Sequence, residues 1–183
     1  KEMAIGYAVL TTVCRDDLPD QGAAHLAACI REIKSLCPGM KLEMLLQDFR
    51  GDKRLLEIVL DAGPDVVAHN VECVERLTSK VRDAKAGYRR SLNILAHSRA
   101  YRPQSPAKSS LMLGLGETEE ELIQSFTDLR AVGVDILTLG QYLRPTGSLH
   151  HLPVEKFVHP DEFARLGEHA ESRGFIHVAS GPV

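Results

Sequence analysis

The chain has 183 residues, 44% of them hydrophobic, and a formal net charge of −3. That is enough apolar material for the core of one domain, with no basic footprint for a nucleic acid. No run of about 18 apolar residues is present, so no membrane span is expected.

The elements alternate from the start. Tyr7 to Thr12 (Y-A-V-L-T-T) reads as an apolar strand. Gly22 to Leu36 is helical, with Ala23, Leu26, Ala27, Ile30 and Ile33 on one face, and Pro38-Gly39 stops it. Leu42 to Leu46 is a second strand, and Lys53 to Leu60 a short helix ended by Gly63-Pro64. Val66 to Ala68 is a third strand, running into His69-Asn70. Val74 to Lys80 and Arg89 to Tyr101 are helices, and the proline-containing Arg102 to Pro106 is a loop. Ser110 to Leu113 is a fourth strand, crossed over by Glu119 to Val132, and Ile136 to Leu139 a fifth. Tyr142 to Pro153 is a loop rich in Pro, Gly and His. Asp161 to Arg173 is a helix begun at Pro160, and Phe175 to Ala179 is a sixth strand. Such alternation predicts parallel βαβ units with right-handed crossovers. An open doubly wound sheet and a (β/α) barrel both satisfy it.

Polar residues cluster at the carboxyl ends of these strands: Thr11 and Thr12, Asp48, His69 with Asn70 and Glu72, Gly114 with Glu117, Gln141, and Ser180. A barrel builds its site from many strand ends around one rim, which favours the barrel.

The sharpest local pattern is Lys108 to Glu121, K-S-S-L-M-L-G-L-G-E-T-E-E-E. A buried strand through Leu113 delivers a turn in which Gly114 and Gly116 can approach a ligand without a Cβ. Thr118 is placed to cap the next helix, and the acids after it suit the positive end of that helix. An acidic turn fits a cationic or neutral nucleoside better than a triphosphate.

Asn70 and Glu72 in A-H-N-V-E alternate, so extended backbone points both one way. An amide and a carboxylate so placed suit the two hydroxyls of a ribose; the plainer reading is a helix cap with a solvated acid. In V-L-T-T-V-C-R-D-D-L-P-D, Thr11 and Thr12 could bond a small polar ligand, and Asp16 or Asp17 an ammonium, or the acids could bond only local amides. Arg89 and Arg90 in Y-R-R-S-L could grip a carboxylate or be plain surface arginines, as Lys108 reads. Gln141, Tyr142, Arg144, His150 and His151 lead into a loop read as facing substrate. Cys14, Cys29, Cys37 and Cys73 form no C-x-x-C pair and read as free thiols of a reducing compartment. No signal peptide is visible. No nucleophile elbow, H-E-x-x-H, P-loop or G-x-G-x-x-G signature is present.

Taken together, these segments resemble the lipoyl synthase family of radical S-adenosylmethionine (SAM) enzymes. The stretches that carry the resemblance are V-L-T-T-V-C-R-D-D-L-P-D, L-L-Q-D-F-R-G, A-H-N-V-E, Y-R-R-S-L, K-S-S-L-M-L-G-L-G-E-T, L-T-L-G-Q-Y-L-R-P, H-H-L-P-V-E-K-F-V-H-P-D-E-F and G-F-I-H-V-A-S-G-P-V, in the family's order. Biotin synthase, a relative, shares an N-x-[DE] element but not Arg15 to Leu18 or H-H-L-P-V. The resemblance implies an α/β fold, a partial (β/α)6 TIM-like barrel of the radical SAM type truncated at both ends. It implies SAM and two 4Fe–4S clusters as cofactors, one cleaving SAM and the other consumed as sulfur donor. Octanoylated lipoyl carrier domains or the glycine cleavage H protein would be substrate partners, with ferredoxin or flavodoxin as electron donor. The compartment would be cytoplasmic or organellar, the cytoplasm preferred.

By the same resemblance, Asn70 and Glu72 would face the SAM ribose, Thr11 and Thr12 its methionyl amine, and Arg90 its carboxylate. Leu113, Gly114, Gly116 and Glu117 would flank the adenine. The family's C-x-x-x-C-x-x-C loop is expected just before Lys1 and its R-S-S-Y just after Val183, so this stretch alone is expected to bind no cluster and to be inactive. Cys14 stands where the family usually has Asp, Gln21 where it has Gly, and Gln47 where it usually has Pro. A degenerate, non-catalytic barrel fragment and another sulfur-inserting radical enzyme are the alternatives.

Overall fold

The computed structural model describes residues 5–147 and 151–182. The strands β1 (Tyr7–Thr11), β2 (Lys41–Leu45), β3 (Val66–Ala68), β4 (Ala107–Leu113), β5 (Ile136–Gln141) and β6 (His177–Ser180) form one parallel sheet. Their spatial order, β1-β2-β3-β4-β5-β6, is the order of the sequence. A doubly wound sheet would reverse direction at a switch point. An unreversed order with right-handed crossovers puts every helix on one face and curls the sheet toward a barrel. The six-unit partial barrel is therefore what the chain forms.

Between the strands lie α1 (Ala23–Leu36), α2 (Lys53–Asp61), α3 (Thr78–Val81), α4 (Tyr88–Tyr101), α5 (Glu119–Ala131) and α6 (Pro160–Glu171). The core sits between these helices and the convex face of the sheet, in two clusters. One gathers Ala27, Ile30, Leu42, Met44, Leu56 and Leu60 around α1, α2 and β2. The other gathers Leu95, Leu111, Leu113, Phe126, Leu137 and Phe163 around β4, β5 and their helices. Strand alternation then assigns the opposite residues, Glu43, Lys108, Ser110 and Met112 among them, to the concave face.

Several boundaries move, among them β6, expected from Phe175, which begins at His177. β4 begins at Ala107, three residues before the expected Ser110, because its polar start is bonded: Ser109 is buried and accepts from the Val71 amide at 3.2 Å. The helix expected over Val74 to Lys80 is a 3₁₀ turn, Glu75–Leu77, followed by the single turn α3. Lys108, expected on the surface, lies inside β4. Its Nζ donates to both carboxylate oxygens of buried Glu43 on β2, at 2.8 and 3.0 Å.

Candidate functional site

A cavity of about 410 Å³ opens at the carboxyl ends of β1, β2 and β3. Its walls include Thr12, Asp48, His69, Asn70, Glu72, Arg82 and Arg90. The short β3 has to reach this rim and then hand its chain to β4. It does so at Glu72, whose amide donates to Ser110 O at 3.0 Å and whose carbonyl accepts from the Met112 amide at 2.8 Å. The backbone there is left-handed, with φ of 67°, a conformation that costs a residue bearing a Cβ.

Asn70 and Glu72 both line the cavity, and the Asn70 side chain is hydrogen-bonded to the Glu72 carboxylate. Burial raises the Glu72 pKa; the Asn70 bond and the nearby Arg82 charge act the other way. His69 is fully buried, and burial lowers its pKa. Thr12 lines the cavity with its hydroxyl 3.4 Å from Leu45 O. Thr11 ends β1 as an exposed residue beside it.

Charges across the mouth stitch the loops together. Asp16, after β1, meets Arg50 at 3.1 Å and Lys85 at 2.7 Å. Lys85, then Arg50, holds the Asp16 carboxyl below the usual carboxylate range. Asp17 is instead paired with Arg15 at 2.7 Å. Arg90 donates to Asp48 at 3.1 Å and to Lys85 O at 2.6 Å, so in this form it is committed to the protein's own acid. Arg89 points elsewhere, to Glu75 at 2.8 Å.

The turn after β4 borders a separate depression of about 200 Å³, lined by Leu113, Gly114, Gly116, Glu117 and Lys156 among others. The two regions are neighbours along the rim, because Glu72 pairs with Leu111, two residues before Leu113. The Glu117 carboxylate accepts from the Gly114 amide at 2.6 Å and the Leu115 amide at 2.9 Å. Those are the amides a phosphate would seek, and the chain fills them with its own anion. Thr118 and Glu121 complete a capping box on α5.

Gly114 owes its identity to a close approach by the chain itself. A Cβ there would lie 2.3 Å from Lys156 O and 2.5 Å from Gln141 Nε2. Gln141 ties that segment down: its Nε2 lies 3.1 Å from the carbonyls of Leu113 and Lys156, and its Oε1 accepts from the Val158 amide at 2.8 Å. Tyr142 is buried and donates to Leu152 O at 3.0 Å. The structure thus gives Gln141 and Tyr142 bracing contacts in the strap over β4 and β5. Arg144 is exposed near Gly147, and His151 Nδ1 lies 2.9 Å from the Thr146 hydroxyl. His150 lies outside the described residues.

For an iron–sulfur cluster the described residues do not fit: no three of His, Cys, Asp and Glu converge as a metal cage. Cys73 is buried, and burial raises its thiol pKa; at Cys14 burial and then Asp16 do the same. Neither is poised as a thiolate ligand. For a nucleoside bearing an amino acid the donor set fits, with amide, carboxylate, hydroxyl and guanidinium groups on one rim.

A family model described as the radical SAM superfamily matches residues 1–129. The chain belongs to that superfamily. Its relatives narrow the likeness. The lipoyl synthase of Marinobacter nauticus is 55% identical over 181 residues, covering 99% of this chain and 51% of that protein. That of Thermus thermophilus is also 55% identical, covering 99% and 55%. The lipoyl synthase of Methanocella arvoryzae is 50% identical over 182 residues, covering 100% and 61%. The chain therefore spans little more than half the length of these relatives.

Among solved structures, methylornithine synthase superposes with a TM-score of 0.68 at 13% identity, over 98% of this chain and 58% of that one. HMG-CoA lyase from Brucella melitensis gives 0.55 at 13% identity, over 91% and 56%. Both likenesses speak to the fold alone, a (β/α)-barrel architecture.

Arg82, Arg50 and Lys85 line the cavity without having been singled out in the sequence. The signal was available: V-R-D-A-K follows β3 and precedes α4, and every loop in that position of a barrel belongs to the rim.

Proposed function

We propose that the protein carrying this chain is a lipoyl synthase, a sulfurtransferase that inserts two sulfur atoms at C6 and C8 of a protein-bound octanoyl chain. What carries the reading is 55% identity to lipoyl synthases over 181 residues. The rim supports it with a donor set suited to SAM. Asn70 and Glu72 meet the ribose hydroxyls, Thr11 and Thr12 stand beside the methionyl amine, and Leu113, Gly114, Gly116 and Glu117 wall the adenine. SAM, when reductively cleaved, supplies a 5′-deoxyadenosyl radical for hydrogen removal from the octanoyl chain. The residues here bind and orient it, as a fold does for a cofactor that carries the hard chemistry.

In this reading Gln141, Tyr142, Arg144 and His151 belong to the substrate side of the rim; His150, expected with them, lies outside the described residues. The 4Fe–4S ligands belong to other parts of the longer protein. Its partners are octanoylated lipoyl carrier domains or the glycine cleavage H protein, with ferredoxin or flavodoxin as reductant, in the cytoplasm. No helix among the described residues is long and apolar enough to cross a membrane.

The test is an anaerobic assay of the full-length, iron–sulfur-reconstituted protein with SAM, a reductant and an octanoylated carrier domain. Mass spectrometry of the carrier should show two sulfur atoms in place of two hydrogens. An unchanged carrier, with desthiobiotin converted in a parallel reaction, would replace this reading with a biotin-synthase one.

A further inference from the structure

We infer that the amino-terminal end of the sheet carries a second binding site, a pocket that takes a phosphate dianion with Arg102 as its principal donor. It lies at the opposite end of the strands from the rim and does not depend on what binds there.

A cavity of about 350 Å³ opens where the strands begin. Tyr7 and Lys41 start β1 and β2, Asp65 precedes β3, Pro106 precedes β4, and Arg102 caps the carboxyl end of α4. The charged walls are Lys34, Lys41, Arg102 and Asp65. Three cations meet one carboxylate, which leaves an excess of positive charge at neutral pH. That carboxylate is already engaged. Asp65 Oδ2 accepts from Lys34 Nζ at 2.9 Å and from the Leu42 amide at 3.0 Å, and Oδ1 accepts from Lys41 Nζ at 3.3 Å.

Arg102 has no such partner. Among the described residues its side chain forms no ion pair or hydrogen bond, and its Nε is buried without an acceptor. Folded proteins rarely strand a buried N–H, and a half-buried guanidinium without an anion is an incomplete pair. The other buried side-chain atom without a partner among the described residues is Ser98 Oγ, one turn earlier on α4. Both orphans sit at the same end of that helix, and both can donate to an oxyanion. Phosphate suits the set. Its charge matches the excess, and its oxygens can accept from the guanidinium fork on one side and from ammonium groups on another. Lys41 is largely exposed and can swing toward a ligand, and exposed Gln104 adds an amide to the same wall.

Equilibrium dialysis of the full-length protein against labelled inorganic phosphate tests the site. Chloride holds the ionic strength constant, because screening alone would otherwise mimic a change in affinity. Arg102→Met should weaken phosphate at least about tenfold, the loss of a charge-assisted pair. Arg102→Lys should recover part of that loss, since the charge stays while the fork goes. Lys41→Met should weaken phosphate by a smaller factor. Urea midpoints keep folding apart from binding: without phosphate the Arg102→Met protein should unfold like wild type, and in saturating phosphate only the wild-type midpoint should rise. Competition with glycerol 3-phosphate separates the sources. Displacement at concentrations at least about tenfold below those of phosphate supports a phosphorylated metabolite, and displacement only at equal or higher concentrations supports free phosphate. Phosphate bound equally by wild type and Arg102→Met, or by neither, overturns the site.

Discussion

Gln47, at the end of β2, donates its side-chain amide to the backbone carbonyl of Gln21, 2.6 Å away. Gln21 in turn lies 3.3 Å from Phe49 O through its own amide nitrogen. By the resemblance to lipoyl synthases these are the two positions expected to depart from the family's Gly and Pro, and they touch. Gln21 holds a left-handed backbone at φ 51°, where a glycine would sit without strain. The buried Gln47 clamps that turn. Gln47→Ala removes the clamp and leaves the Gln21 carbonyl short of a donor, so stability should fall by about 1–2 kcal/mol. Urea denaturation measures it, and an unchanged midpoint would show the clasp to be idle.

The buried ion pair on the concave face invites a double-mutant cycle. Glu43 is only 3% exposed, held by Lys108 Nζ and by the Tyr7 hydroxyl at 2.5 Å. Burial, then the Glu43 bond, raises the Tyr7 phenol far above its ordinary range, so Tyr7 stays a donor. Lys108→Met strands the carboxylate and should cost about 3 kcal/mol. Adding Glu43→Gln should return much of it, since the stranded charge is gone. Equal losses in the single and double variants would show that packing, not charge, sets the cost.

What the sequence made legible follows from which physics is local. Strand–helix alternation is written in hydrophobic period, so all six strands could be placed, and polar strand ends pointed to one rim. Pairing choices are not local. Nothing in Y-R-R-S-L says that Asp48, 42 residues earlier, will take Arg90. The glycines of G-L-G-E were read as a close approach to a ligand; at Gly114 the approaching atom is Lys156 O, a contact set by the fold, and at Gly116 the nearest neighbour is at ordinary distance. Lys108 looked like a surface lysine because its partner lies 65 residues away on β2.

One buried group, His69, and one half-buried group, Glu72, give the stability opposite pH slopes. The Glu72 pKa is raised in the folded state from an ordinary 4.5. Above that value the unfolded chain releases a proton the folded chain keeps, so this group's contribution falls as pH rises through its folded pKa. The His69 pKa is lowered from an ordinary 6.5. Below 6.5 the unfolded chain takes up a proton the folded chain refuses, so its contribution falls as pH drops. Glu72→Gln should therefore steepen the gain in stability between mildly acidic and neutral pH, leaving the His69 slope unopposed. Denaturation curves at about pH 5 and 7.5 test this; parallel behaviour of variant and wild type would refute the Glu72 assignment.

Gly114 and Gly116 separate two reasons for glycine in one turn. Both are left-handed, with φ of 99° and 91°. Beside Gly116 a new Cβ meets only Glu155 Cγ at 3.6 Å, ordinary contact, so Gly116→Ala pays the backbone cost alone, about 1–2 kcal/mol. Beside Gly114 it collides with Lys156 O and Gln141 Nε2. Gly114→Ala must also push the strap off β4 and break the Gln141 bonds that hold it, for a total of about 3–5 kcal/mol. The strap should then become a site of rapid proteolysis around residues 155–158, with the Gly116→Ala strap remaining resistant. Equal destabilisation and equal cleavage in the two variants would mean that the strap does not depend on the space Gly114 leaves.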